Sequence, residues 1–216
     1  YKIMKDFYLI DYLSYIEQDN KNDAEQIANN IHNILLCNNI DILTLESTQI
    51  NIITKNYDLQ NKINLNKNLE FFNYENFTDI LAHIKENLKL SLIMSNVVGI
   101  SKEDIEKYLM LMQYEEDLLL LGKTEDTVSI IMTNNYNPTL FNNISILPIQ
   151  YDVILQNANL LNYKIEIVQN YFKFSNSEDI LNLNQFLSNK ESKKFCPDYI
   201  YDELTNLFIE YKKITL

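Results

Sequence analysis

Apolar residues along this chain recur at two spacings, and the two alternate. Residues 3–10 predict a first strand, with 11–17 in the loop after it. A polar break follows. Ala24, Ile27, Ala28, Ile31, Ile34 and Leu35 then recur at helical spacing, with Asp23 placed to cap that helix. Residues 40–45, 50–54 and 69–72 are strand-like, and 77–88 predict a helix with Ile80, Leu81, Ile84 and Leu88 on one face. The continuous apolar run 90–94 predicts a buried strand, and 95–99 its exit loop. Ser101 with Asp104 three residues on forms a capping-box pattern, and Ile105, Tyr108, Leu109 and Met112 give the next helix its inward stripe. Strands at 117–121 and 128–132 follow, then a turn at Asn137-Pro138. A helix over 149–161 turns Val153, Ile154, Leu160 and Leu161 inward, and 163–168 is the last clear strand. Helices from Ser177 to Leu187 and from Pro197 to Tyr211 complete the pattern. Strands alternating with helices predict an α/β fold with a mainly parallel sheet, without internal repeat or linker.

Both glycines, Gly99 and Gly122, lie in the stretch 88–141, each after an apolar run of strand length, with a helical pattern between them. That is the sequence form of a βαβ unit. Ligands of open α/β sheets bind beyond the carboxyl ends of the strands, so the two glycines mark the expected site.

Composition narrows the function. At 216 residues the expectation is one domain, 1–216, with 190–216 as a C-terminal helical extension. The net charge is −12 and the nearest thing to a basic cluster is Lys190, Lys193 and Lys194, which argues against a nucleic-acid partner. All 18 basic residues are Lys. Without Arg there is no bidentate fork for phosphate, although Lys can serve as a point charge. The abundance of Asn, Ile, Lys and Tyr points to an AT-rich coding bias and not to functional low-complexity tracts. Cys37 and Cys196 lie far apart with no metal spacing and read as reduced thiols. No apolar run reaches membrane-spanning length and no signal pattern opens the chain, so the reading is cytoplasmic with no membrane partner. His32 and His83 are isolated and read as surface or packed residues, and no nucleophile motif is present.

Four segments carry a resemblance. The first is Ser95-Asn96-Val97-Val98 followed by Ile100-Ser101-Lys102-Glu103-Asp104. The second is the run Leu121-Gly122-Lys123-Thr124-Glu125-Asp126-Thr127-Val128-Ser129, and the third the pair Leu140-Phe141. The fourth is Lys173-Phe174-Ser175-Asn176-Ser177-Glu178-Asp179-Ile180. In order and spacing, over about residues 24–187, they resemble the GT-A-like nucleotide-diphospho-sugar transferase superfamily. Within it, they resemble a bacterial glycosyltransferase-like family related to phospholactate guanylyltransferase. The resemblance implies a single-domain three-layer sandwich with a mixed, mainly parallel sheet. It implies a nucleotide or nucleotide-sugar ligand contacted by Ser95, Asn96, Gly122 and Lys123. It also implies Mg²⁺ or Mn²⁺ held by Asp126 and Glu125, with Asp126 catalytic.

The departures fall on the chemistry. The family's first loop brings glycine and basic residues to the phosphates, whereas residues 10–19 here contain neither. The family's Asp-x-Pro loop is Asn96-Val97-Val98, its Gly-Gly is Thr127-Val128, and its later metal-binding aspartate corresponds to Ser175. Glu178 and Asp179 remain, at a helix start where acids are favoured in any case. Two functional readings stand. One is a degenerate transferase-like protein, with weak or lost transfer and a binding role. The other is an active metal-dependent glycosyl- or nucleotidyltransferase using a nucleotide-sugar or nucleoside triphosphate. A methyltransferase-like sheet is a third α/β possibility, disfavoured because no glycine-rich loop follows the first strand. Tyr171, Phe172 and Phe174 suit base stacking or packing. The last helix, apolar at Ile200, Leu204, Leu207, Phe208 and Tyr211, is expected to dock on the sheet or on a second copy as a homodimer.

Overall fold

One mixed sheet organises the chain, and its strand order accounts for the alternation in the sequence. The structure, a computed structural model, describes residues 6–11, 22–45, 48–56, 59–63, 68–84, 89–168 and 171–215. Among these the elements run β1 (Asp6–Asp11), α1 (Asp23–Leu43), β2 (Gln49–Thr54), α2 (Leu59–Lys62), β3 (Leu69–Asn73), α3 (Phe77–His83), β4 (Leu90–Met94) and β5 (Val97–Val98). They continue α4 (Lys102–Tyr114), β6 (Leu118–Thr124), β7 (Thr127–Thr133), α5 (Tyr151–Leu160), β8 (Lys164–Ile167), β9 (Phe172–Lys173), α6 (Ile180–Leu187) and α7 (Asp198–Thr215). The seven-stranded sheet has the order β3-β2-β1-β4-β7-β6-β8. β3, β2, β1 and β4 pair in parallel, β7 is antiparallel to β4 and β6, and β8 is parallel to β6. β5 and β9 form a separate two-stranded piece. This is the α/β architecture that the alternation predicts.

Side chains alternate across the sheet as the pleat requires. Phe7 and Leu9 enter the core under α1 and α4, with Leu36, Ile40, Ile105 and Met112. Tyr8 and Ile10 enter the opposite core under α3 and α5, with Phe77, Ile80, Ile154 and Ala158. Helix α1 is apolar on a second side as well. There Ile27, Ile31 and Leu35 meet Ile180 and Leu183 of α6 and Ile200, Leu204 and Phe208 of α7. The last helix therefore covers α1 within the same chain instead of docking on the sheet, because α1 already occupies that face. Among the described residues, no helix is long and apolar enough to cross a membrane.

Several local expectations change. Residues 40–43 are helical, because Leu36, Ile40 and Leu43 continue one apolar stripe against the sheet and no breaker follows Asn39. Asn22, and not Asp23, caps α1: its side-chain oxygen accepts from the Glu25 N–H at 2.9 Å. The box at Ser101 and Asp104 forms as predicted. Leu160 is 75% exposed, not inward, since the helix turns only Ile154, Asn157 and Ala158 fully into the core. Residues 3–5, 12–17 and 85–88 of the expected elements lie outside the described residues.

The largest change concerns the βαβ unit. Helix α4 does connect two parallel strands, β4 and β6, but the antiparallel β7 lies between them. Gly122 does not end a strand. It lies inside β6, which runs on to Thr124 and returns as β7 through a hairpin at Glu125 and Asp126. The pairing shifts beside Gly122, with Gly122 opposite Ile130 and Lys123 opposite Val128, so Ser129 is the extra residue of a β-bulge.

Candidate functional site

The parallel strands β2, β1 and β4 end side by side, and each ends in a polar side chain. Asp11 is the last residue of β1 and pairs in register with Thr54, the last of β2. Ser95 follows β4 and its N–H donates to Ile10 O at 2.9 Å, which holds it beside Asp11. The Thr54 hydroxyl donates to Asp11 Oδ2 at 2.8 Å, and the Ser95 hydroxyl to Asp11 Oδ1 at 3.4 Å. From α1, His32 Nε2 stands 2.7 Å from Asp11 Oδ1. All four residues are buried. A carboxylate removed from water is tolerated only where donors replace its hydration, and these three supply them. Because the carboxylate accepts, Nε2 is the nitrogen that carries the proton.

His32 is thus neither exposed nor an isolated packed ring. Its position carries the signal: it lies four residues after Ala28 and three before Leu35, on the buried stripe of α1. Asp11 and Thr54 gave less warning, each being one polar residue at the end of an apolar strand. Asn39, from the same helix, ties the neighbouring turn down. Its amide donates to Ser95 O at 2.8 Å and Val97 O at 3.0 Å.

Of the residues expected to touch substrate, Ser95, Asn96 and Gly122 are brought to this edge and buried, and residues 171–174 lie over Asn96 and Gly122. That segment is laid across by backbone pairing. Tyr171 N–H donates to Lys123 O, β9 pairs with β5, and Phe174 N–H donates to Asn96 O. The Asn96 amide returns a bond to Phe174 O at 2.9 Å. The Tyr171 ring lies against both glycines: a Cβ on Gly122 would stand 2.9 Å from Cε2, and one on Gly99 3.5 Å from Cδ1. The Tyr171 hydroxyl meets that of Tyr108 at 2.6 Å. Burial pushes the Tyr108 phenol above its ordinary pKa, more than the Tyr171 bond pulls it down. Beyond Tyr171 a cavity of about 310 Å³ carries Gln185, Asn189 and Glu191 among its lining residues and, among the described residues, no basic side chain.

Glu125 and Asp126 occupy the hairpin tip, exposed, with Glu125 in the left-handed region at φ 49°. Asp126 O accepts from Tyr151 N–H at 2.9 Å, so the tip is fixed to the start of α5 and not to the Ser95 turn. The Lys123 ammonium lies 4.5 Å over the Tyr151 ring. A hard divalent cation needs several oxygen ligands, and two adjacent carboxylates on a turn are a partial set. Among the described residues, no group of three or more His, Cys, Asp or Glu is placed to hold a metal ion. Within the described residues, Glu125 and Asp126 thus supply a partial oxygen set and not a preformed Mg²⁺ or Mn²⁺ site.

No protein-family model matches the sequence, and no curated protein matches it. Solved structures do match. An inferred nucleotide-diphospho-sugar transferase from Desulfovibrio desulfuricans G20 superposes with a TM-score of 0.69 at 12% identity, over 96% of this chain and 98% of that one. The 4-diphosphocytidyl-2C-methyl-D-erythritol synthase of Anaerococcus prevotii gives 0.51 at 13%, over 86% and 97%. A cytidylyltransferase from Leptospira borgpetersenii gives 0.51 at 14%, over 98% and 96%. At these identities the likeness establishes the fold: a nucleotide-diphospho-sugar transferase-like, nucleotidyltransferase-like sheet.

Proposed function

We propose that this protein keeps the transferase fold, has weak or no transfer activity, and acts by binding. The observation that carries this reading is the cover over the carboxyl edge. Ser95, Asn96 and Gly122, where a nucleotide or sugar would need backbone and polar groups, are all buried: Asn96 is bonded both ways to Phe174, Gly122 lies against the Tyr171 ring, and Ser95 is turned to Ile10 and Asp11. A nucleotide entering here would have to displace Tyr171 from Gly122 and break the pairing at Asn96. The missing arginine, and the missing glycine and basic residues in 10–19, point the same way.

Thermal-shift titration with GTP and UDP-sugars, with and without Mn²⁺, tests the reading. A ligand at a hundred times its Kd stabilises by about 2.7 kcal/mol, which moves Tm by several degrees. The expectation is no metal-dependent shift and no pyrophosphate or nucleotide release. A metal-dependent shift abolished by Asp126→Ala overturns it.

That outcome would favour the second reading, an active transferase in which Asp126 and Glu125 recruit the metal together with substrate phosphates and Lys123 neutralises charge. What supports that reading is the exposure of both carboxylates on the carboxyl edge of the sheet.

A further inference from the structure

Three strand ends meet at the edge of the sheet opposite to Asp11. Asp117 stands just before β6 and Tyr163 just before β8, while Asn135, Tyr136 and Asn137 follow the antiparallel β7. With Pro138 and Leu161 they line a cavity of about 320 Å³. That is the small end of the range for ligand sites, about 300–1,000 Å³, with room for one six-membered ring and its substituents.

The cavity is held in shape by its own bonds. The Tyr163 hydroxyl donates to Asn135 O and accepts from the Asn137 N–H at 3.2 Å. The Asn135 amide donates to Asp117 Oδ1, and Asn137 Oδ1 accepts from the Thr139 N–H at 3.0 Å. Groups fixed beforehand lose less freedom when a ligand arrives. These bonds leave a defined remainder. Among the described residues, Asp117 Oδ2 and Asn135 Oδ1 have no donor, and Asn137 Nδ2 has no acceptor. All three residues are exposed, so a ligand can replace the water on them. Beside them Tyr136, Pro138, Leu161 and Tyr163 supply apolar surface.

Two acceptors and one donor form a mixed set. A cation would use the acceptors alone. A phosphate would meet the Asp117 carboxylate and, among the described lining residues, no basic side chain. Neighbouring hydroxyls on one ring both donate and accept, and so match all three groups. A pyranose adds a face of polarised C–H groups, which the negative π face of a tyrosine attracts.

We propose that this cavity binds one neutral hexopyranoside. Its hydroxyls donate to Asp117 Oδ2 and Asn135 Oδ1 and accept from Asn137 Nδ2, with its C–H face against Tyr136 and Tyr163. The site lies across the sheet from Ser95, Asn96, Gly122, Lys123, Glu125 and Asp126, so it does not depend on whether transfer occurs.

Titration of the ¹⁵N-labelled full chain, read at the assigned side-chain amides of Asn135 and Asn137, tests the proposal. The probes are the methyl glycosides of glucose, galactose, mannose and N-acetylglucosamine. Methylammonium chloride is the control for a cation site, and cyclohexanol for an apolar groove. The expected result is a saturable shift of both amides with at least one glycoside, and none of comparable size with either control. Asp117 lies in the left-handed region at φ 51°, which asparagine also adopts, so Asp117→Asn keeps the backbone. That variant should bind the glycoside at least tenfold more weakly. No saturable shift with any glycoside, shifts confined to other residues, an equal response to either control, or unchanged affinity in the folded Asp117→Asn variant overturns the proposal.

Discussion

The ring of Tyr171 presses on Gly122: a Cβ on the glycine would stand 2.9 Å from ring Cε2 and 2.8 Å from Ile130 Cβ. Glycine is required here for close approach, because the strand partner and the cover meet over the same backbone atom. Gly122→Ala is therefore expected to cost about 1–3 kcal/mol, through forced shifts of Ile130 and Tyr171. Urea unfolding measures it. A wild-type midpoint would mean that the cover does not rest on the strand.

Asp11 joins three donors at the carboxyl edge, from β2, from the residue after β4 and from α1. Each donor stranded in the core costs about 1–3 kcal/mol. Asp11→Ala is expected to lose about 3 kcal/mol or more. Asp11→Asn, which keeps an acceptor for His32, should lose less. A double-mutant cycle with His32→Ala should give a coupling of about 1–3 kcal/mol by urea unfolding. Additive losses would show that the pair is not an interacting unit.

Tyr136 and Cys196 set the alkaline limit. Burial, aided by Tyr163 and Tyr8, pushes the Tyr136 phenol up to about 12 from 10.0. Burial, aided by Asp198, pushes the Cys196 thiol up to about 11 from 9.0. In both cases the unfolded chain ionises first, so the folded state holds its proton longer. Their stabilising contribution is complete below about pH 9 and is lost as pH rises through 11 and 12. Urea midpoints from pH 8 to 11 should fall, and Tyr136→Phe should flatten the upper part of that fall. Cys196 should also resist a thiol reagent at pH 8 until urea unfolds the chain, being buried and protonated.

The fold was legible wherever burial imposes a period. The runs at 50–54, 90–94 and 128–132 lie within or along β2, β4 and β7 because a strand covered on both faces is continuously apolar. Residues 40–45 misled because Ile-x-Ile-Leu fits either period over so few positions, and only the packing of Leu43 against the sheet decides. At the site, motif spacing brought Ser95, Asn96 and Gly122 to the right edge. It could not reveal that residues 171–174 cover Asn96 and Gly122, since those contacts join segments far apart in sequence. Asp11 and His32 are 21 positions apart and come together only when β1 and α1 are both placed.

Asn39 offers the sharpest test of how that edge is held. Its amide lies between two carbonyls, Ser95 O and Val97 O, and the residue is buried. Asn39→Ala leaves both carbonyls without this donor, for about 1–3 kcal/mol. Asn39→Asp has nearly the same shape but, when ionised, sets a charge against two acceptors. The new carboxyl would hold its proton in the fold well above the ordinary carboxylate value, because only the protonated form can donate. Its folded pKa being raised, the variant is most stable below about pH 4 and loses stability as pH rises through the raised value. Urea unfolding at pH 4.5 and 7.5, each against wild type, should show Asn39→Asp nearer to wild type at the lower pH and worse than Asn39→Ala at the higher. Equal losses for the two variants at pH 7.5 would mean that the turn at 95–98 keeps its position without Asn39.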